Sequence, residues 1–255
     1  MADRRKSPFA RFADGAKAPL RGVDFLLRHP SLSRYAIAPF AMSFLLLLAL
    51  LFVTVNYLIM PFHDAMVARL NLASWIKWAF ELVLWPAIVV TYTILASFVF
   101  TALANLLAGP FNDRLSQRTE EIATGKAEST VFTFREAFSK LGKSFLIQLK
   151  KIVVFIAVQV LLLGLYLVPI LGAILHPAAA ALVTIWFLAS EFLDYPMERR
   201  EVSYRMRLLF TWTNRYEVAG FGTAIAIWLA VPLLGFTALP VAVVGGTLLY
   251  LSALE

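Results

Sequence analysis

The sequence predicts an all-α integral membrane protein, and three observations carry that prediction. Apolar residues make up 60% of the 255, charged ones only 15%, and mean hydropathy is +0.77, a balance foreign to a water-soluble domain. Charge-free runs at 35–62, 82–112, 152–190 and 218–254 can each place an apolar helix or hairpin in a bilayer. No stretch alternates with the period of a strand. The chain therefore reads as one membrane domain, 1–255, with no separate soluble module.

Residues 1–30 form a basic cytoplasmic segment. Its tail to about Pro19 is expected to be mobile, and 20–28 to lie as a short interfacial helix. No cleavable signal is expected, because these residues are charged throughout. A first long transmembrane helix follows at 35–60, within 28 uncharged residues. The 61–81 connection, with Trp75 and Trp78, reads as interfacial. A second long helix is predicted at 80–109. The run 82–112 would measure about 46 Å as a helix, more than a bilayer core, so tilt or a kink at Pro86 is implied. Pro110 should bend or end it, leaving 112–128 as a polar segment. Thr133-Phe-Arg-Glu136 forms a capping-box pattern, and Phe134, Phe138, Leu141, Phe145 and Leu149 recur at helical spacing. These predict an amphipathic helix on the cytoplasmic face, and 197–216 repeats the part.

The remaining runs contain one phrase written twice, VPILGAILHP at 168–177 and VPLLGFTALP at 231–240. Pro169 and Pro232 remove helical donors, Gly172 and Gly235 permit left-handed backbone, and Pro177 and Pro240 can restart a helix. The phrase thus predicts structural turns, with one helical hairpin over 152–193 and another over 218–254. Counted from the phrase, the arms are shorter than the roughly 20 residues of a full span. Re-entrant hairpins, entering and leaving on one side, are the preferred reading; four short spans are the alternative.

Sidedness follows from charge. Residues 1–34 carry eight Lys/Arg against three acids and 112–151 eight against five, whereas 61–81 has two of each. The N-terminus and 112–151 are expected in the cytoplasm, with 61–81 across the membrane. An even number of passes keeps the C-terminus cytoplasmic.

No catalytic or metal motif stands out. Cysteine is absent, His29, His63 and His176 are scattered, and no Gly-rich phosphate loop occurs. The chain is expected not to be an enzyme, to need no cofactor and to bind no nucleic acid. The best anion candidate is the start of the first long helix. Ser31 is placed as an N-cap, leaving open N–H groups and the positive dipole end at Leu32, Ser33 and Arg34. Asn105, Asn112, Asp113 and Arg114, at the cytoplasmic end of the second helix, are a possible ion pathway or an ordinary interfacial end. Asp194-Tyr195-Pro196 reads first as a helix end and second as a carboxylate on a path.

Leu-Trp-Pro at 84–86, Ala104-Asn105 through Ala108-Gly-Pro-Phe-Asn112, Asp194-Tyr-Pro196 and the phrase at 231–242 together resemble the CysZ sulfate permeases, a superfamily that includes the etoposide-induced membrane proteins. The resemblance runs from about 20 to 250. It implies two long transmembrane helices, two hemi-penetrating hairpins, a homo-oligomer in the bacterial inner membrane, and sulfate uptake for cysteine synthesis. Where sulfate-binding members resemble Gly-Leu-Arg-Arg-Phe, this chain has Ser31-Leu32-Ser33-Arg34-Tyr35, so one guanidinium is replaced by a hydroxyl. A permease for sulfate or a related oxyanion is the expectation. A permease for a different ion, or a non-conducting membrane organiser, is the alternative.

Overall fold

The computed structural model describes residues 7–62, 74–125 and 134–254. Among them every regular element is helical: α1 (Pro8–Ala16), α2 (Ala18–Arg28), α3 (Ser33–Val53), α4 (Ser74–Thr124), α5 (Phe134–Leu163), α6 (Pro169–Arg199), α7 (Tyr204–Thr213), α8 (Arg215–Ala230) and α9 (Pro232–Leu254). The expected all-α class holds. Four helical stretches are long and apolar enough to cross a membrane among the described residues: Pro30–Phe62, Leu149–Leu167, Ile170–Arg199 and Thr237–Leu254.

One compact unit comprises residues 35–111. It holds most of α3, which leads into a π-helical stretch at Thr54–Ile59. The wider turn coincides with a buried Thr54 whose hydroxyl bonds the Tyr92 hydroxyl of α4. Most of the 61–81 connection, residues 63–73, lies outside the described residues. So does Thr133 of the expected capping box.

α4 runs unbroken through both Pro86 and Pro110 to Thr124. The helix therefore does not end at Pro110, one of the two outcomes expected there. A proline removes one donor and crowds one carbonyl, which a helix held by its later residues tolerates at a local cost. Here the later residues are held firmly: Leu115, Ser116 and Thr119 are fully buried.

The other unit, residues 1–34 and 112–255, is built on α6, α8 and α9. Its core is Leu115, Ala189, Leu193, Met197, Phe221, Ile225, Val243 and Val244, all inaccessible to solvent. The N-terminal tail, expected to be mobile to about Pro19, instead forms α1 and the start of α2 over residues 8–19. α1 lies on α8 and α2 on α9. Backbone approach explains the docking: a Cβ on Gly220 would overlap the Phe12 carbonyl, and one on Gly245 the Ala18 carbonyl. Arg11 seals this contact by donating to Glu217 at 2.6 Å.

The two turns also differ from expectation. The first bend is Gly164–Leu167 in 3-10 form with extended Val168, and the second is Val231 alone. Pro169 and Pro232 open helices as first residues, and Pro177 and Pro240 sit inside them. Gly172 and Gly235 are helical, each N–H bonded four residues back to Val168 and Val231. Only Gly125 among the described glycines has positive φ. The repeated phrase thus begins the return arm instead of forming the turn. The first hairpin's arms are consequently longer than counted from the phrase, whereas α8 has 16 residues. The separate amphipathic helix expected before the first hairpin is instead the leading half of one 30-residue helix, α5. Before the second hairpin a short helix does stand apart, α7, set off by Glu201 at φ 53°.

Candidate functional site

The start of α3 is built as a tight 3-10 turn, Pro30–Leu32, that follows α2. Leu32 is 1% exposed and anchors it, while Ser31, Ser33 and Arg34 face outward. The Leu32 N–H donates to His29 O at 3.0 Å, and the Ser33 N–H to Pro30 O. Ser33 also spends its hydroxyl proton on Pro30 O at 2.6 Å. Ser31 is therefore not the N-cap expected, and the amides of Leu32 and Ser33 are not open: the 3-10 bonds satisfy them. Arg28, one turn earlier, pairs with Asp24 at 2.9 Å. The exposed side chains of the segment are Ser31, Ser33 and Arg34.

The second cluster is formed where the end of α4 meets α6 and α9. Asn112 donates to the Tyr195 hydroxyl at 3.1 Å. Arg199 reaches the Asp113 carbonyl at 3.3 Å and its carboxylate at 3.6 Å. It also donates to Ser116, which shares a bond of 2.9 Å with Thr247, which in turn donates to Val243 O. Glu120 receives Arg199 on one oxygen and Arg200 on the other, the Arg200 Nε at 2.9 Å. Burial pushes the Glu120 carboxyl up, but the hydrogen bonds and charges of Arg200 and Arg199 outweigh it and hold it below the usual carboxylate range. Arg114 points elsewhere along α4 and donates to Gln117 at 2.7 Å. The side chain of Asn105 lies outside the described ones.

Asp194 is not at a helix end. α6 continues past Pro196 to Arg199, and Asp194 pairs with Lys151 of α5, which also donates to Glu191 at 3.1 Å. Sequence reasoning thus found Asn112 and Asp113 but missed Ser116, Glu120, Arg199 and Thr247. The available signal was Arg199-Arg200 directly after an apolar run, which reads equally as ordinary cytoplasmic positive charge. Chemically the cluster is a buried Ser116–Thr247 hydrogen bond with an arginine–carboxylate ion pair at its edge. The Nε of Arg199 has no hydrogen-bond partner among the described residues, so the guanidinium keeps one donor in hand.

Long lipid-compatible helices, glycine-mediated helix packing and arginines gathered at helix ends define a polytopic helical membrane protein. The family model described as sulfate transporter CysZ/etoposide-induced protein 2.4 matches residues 18–240, and the chain belongs to that family. It is 26% identical over 230 residues to the sulfate transporter CysZ of Pseudomonas aeruginosa PAO1, covering 90% of this chain and 91% of that one. It is 28% identical over 233 residues to the CysZ of Pectobacterium atrosepticum, covering 88% and 80%, and 24% identical over 233 to that of Vibrio parahaemolyticus, covering 91% and 92%.

Proposed function

We propose that the chain is a permease for sulfate or a related oxyanion in the bacterial inner membrane, with both termini in the cytoplasm and several copies assembled together. It supplies oxidised sulfur for cysteine synthesis, with no catalytic step of its own. The observation that carries the reading is the family match across 18–240, with relatives named as sulfate transporters over about nine-tenths of the chain. The local support is Arg34, an exposed guanidinium at the start of the first candidate span, where an arginine can meet an oxyanion with two parallel N–H bonds. Asn112, Asp113 and Arg199 then belong to the inner part of the path. The hairpins re-enter the membrane in this reading, supported by the 16 residues of α8, which fall short of a full span.

A second reading, a permease for a different ion, is favoured by Ser33. Its hydroxyl proton is engaged by Pro30 O, so it does not replace a guanidinium as donor. Flux into liposomes containing only this protein separates the two, using sulfate, sulfite, phosphate and chloride in turn. Sulfate uptake above protein-free vesicles supports the first reading. Uptake of another anion alone supports the second, and no uptake of any leaves the non-conducting organiser.

A further inference from the structure

α7 is amphipathic in the opposite sense to a helix on a water-soluble protein. Its buried residues are polar, Arg207 and Thr211, with Asn214 just beyond its end, while half-buried Phe210 packs on Tyr250. Arg207 donates through Nε to Val202 O at 2.8 Å and lies 3.8 Å from both Asp194 and Glu198. Its outward stripe, spaced i, i+3, i+4 and i+7, is Arg205, Leu208, Leu209 and Trp212, with Met206 beside it. Trp212 is 65% exposed and the aliphatic residues about half. Facing water, this arrangement would expose a continuous apolar stripe; facing acyl chains, the same stripe is the stable outside.

The stripe opens on a cavity of about 400 Å³ whose far wall is Trp186 of α6, set edge-on to Trp212 with ring centroids 6.1 Å apart. Trp186 and the strongly exposed Leu182 belong to the candidate span Ile170–Arg199, so the cavity opens beside a lipid-facing helix. Tryptophan pairs suit the depth where headgroups meet chains. At the rim stands Arg205, which makes no ion pair among the described residues. A long stem with a charged head next to an apolar groove is the arrangement by which arginine reaches a headgroup phosphate.

We infer that the groove between α7 and Trp186 is a site for a membrane phospholipid with an anionic headgroup. Its acyl chain lies against Trp186, Leu209 and Trp212, and its phosphate meets Arg205. The inference stands apart from which anion the protein conducts. It is tested in nanodiscs with a variant keeping only Trp186 and Trp212, its other tryptophans changed to Phe. Chains brominated on phosphatidylglycerol should quench this pair with about fivefold preference over the same chains on phosphatidylcholine. Arg205→Gln should abolish that preference and leave quenching by both. Equal quenching by the two lipids in the Arg205 protein overturns the headgroup contact. No quenching by either, with a Leu209→Cys thiol cross-linking to a second copy, overturns the site in favour of a protein interface. Native mass spectrometry of the otherwise unaltered chain gives an independent reading. Arg205→Gln should lose retained phosphatidylglycerol, and unchanged retention contradicts the proposal.

Discussion

Ser116 and Thr247 hydrogen-bond to each other at 2.9 Å, both with no solvent-accessible surface, and so tie the end of α4 to the middle of α9. Thr247 donates its own proton to Val243 O, which leaves Ser116 as the donor in the pair. Thr247→Val therefore strands a buried Ser116 hydroxyl, at a cost of about 1–3 kcal/mol. Ser116→Ala removes the stranded group and should cost only about 1 kcal/mol. Unfolding of the detergent-solubilised variants measures the order, which reverses if the contact is incidental.

Glu120 gives the pair's surroundings a pH dependence with a definite sign. Its folded pKa lies below the ordinary value, so its contribution to stability is fully present above the unfolded pKa of about 4.3 and is lost as pH falls through the folded one. Wild-type protein should lose stability over that acid window. Glu120→Gln should be less stable at neutral pH and flatter below it. Parallel curves for the two proteins would mean that Arg199 and Arg200 do not hold the carboxylate.

The glycines of the repeated phrase are not equivalent. A methyl at Gly172 would overlap the Leu165 carbonyl, whereas one at Gly235 would come no nearer than 3.8 Å to Leu229 O. Gly172→Ala should cost about 1–3 kcal/mol by overpacking. Gly235→Ala should be neutral or stabilising by up to about 1 kcal/mol. Thermal unfolding of both variants checks this, and equal losses would restore the symmetry that the sequence suggests.

What the sequence made legible was governed by apolar runs and their limits. The charge-free runs 35–62 and 82–112 stand out because nothing charged interrupts them, and helices occupy them. The turns were misplaced because Pro and Gly mark both a turn and a helix start. Pro169 and Pro232 act as first-turn residues, and their bends are made by the residues before them. The docking of α1 could not be read locally. It depends on Gly220, some two hundred residues away, having no Cβ where Phe12 passes. Ser31 through Arg34 were identified correctly as a helix start, but the amide count there assumed an α-helical N-cap instead of a 3-10 turn. The cluster from Arg199 to Thr247 joins three distant segments, each bland alone.

The bends at Leu167 and Val231 make the topology testable, since the native chain has no cysteine. Thiols placed there should resist membrane-impermeant reagents from either side of sealed vesicles if the hairpins re-enter. Ready labelling from the outer side would make them full spans.

The most direct test of the account concerns Arg34. Sulfate binding to purified protein, followed by calorimetry, and sulfate flux in proteoliposomes are compared for wild type, Arg28→Ala, Arg34→Ala and Ser33→Arg. Loss of the Arg34 contact should weaken binding by about 10–100-fold and abolish flux. Arg28→Ala, which lies in α2 before the Pro30–Leu32 turn, should have the smaller effect. Ser33→Arg should tighten binding, and raised ionic strength should weaken it throughout. Unchanged sulfate binding and flux in Arg34→Ala would contradict the account and place the anion elsewhere.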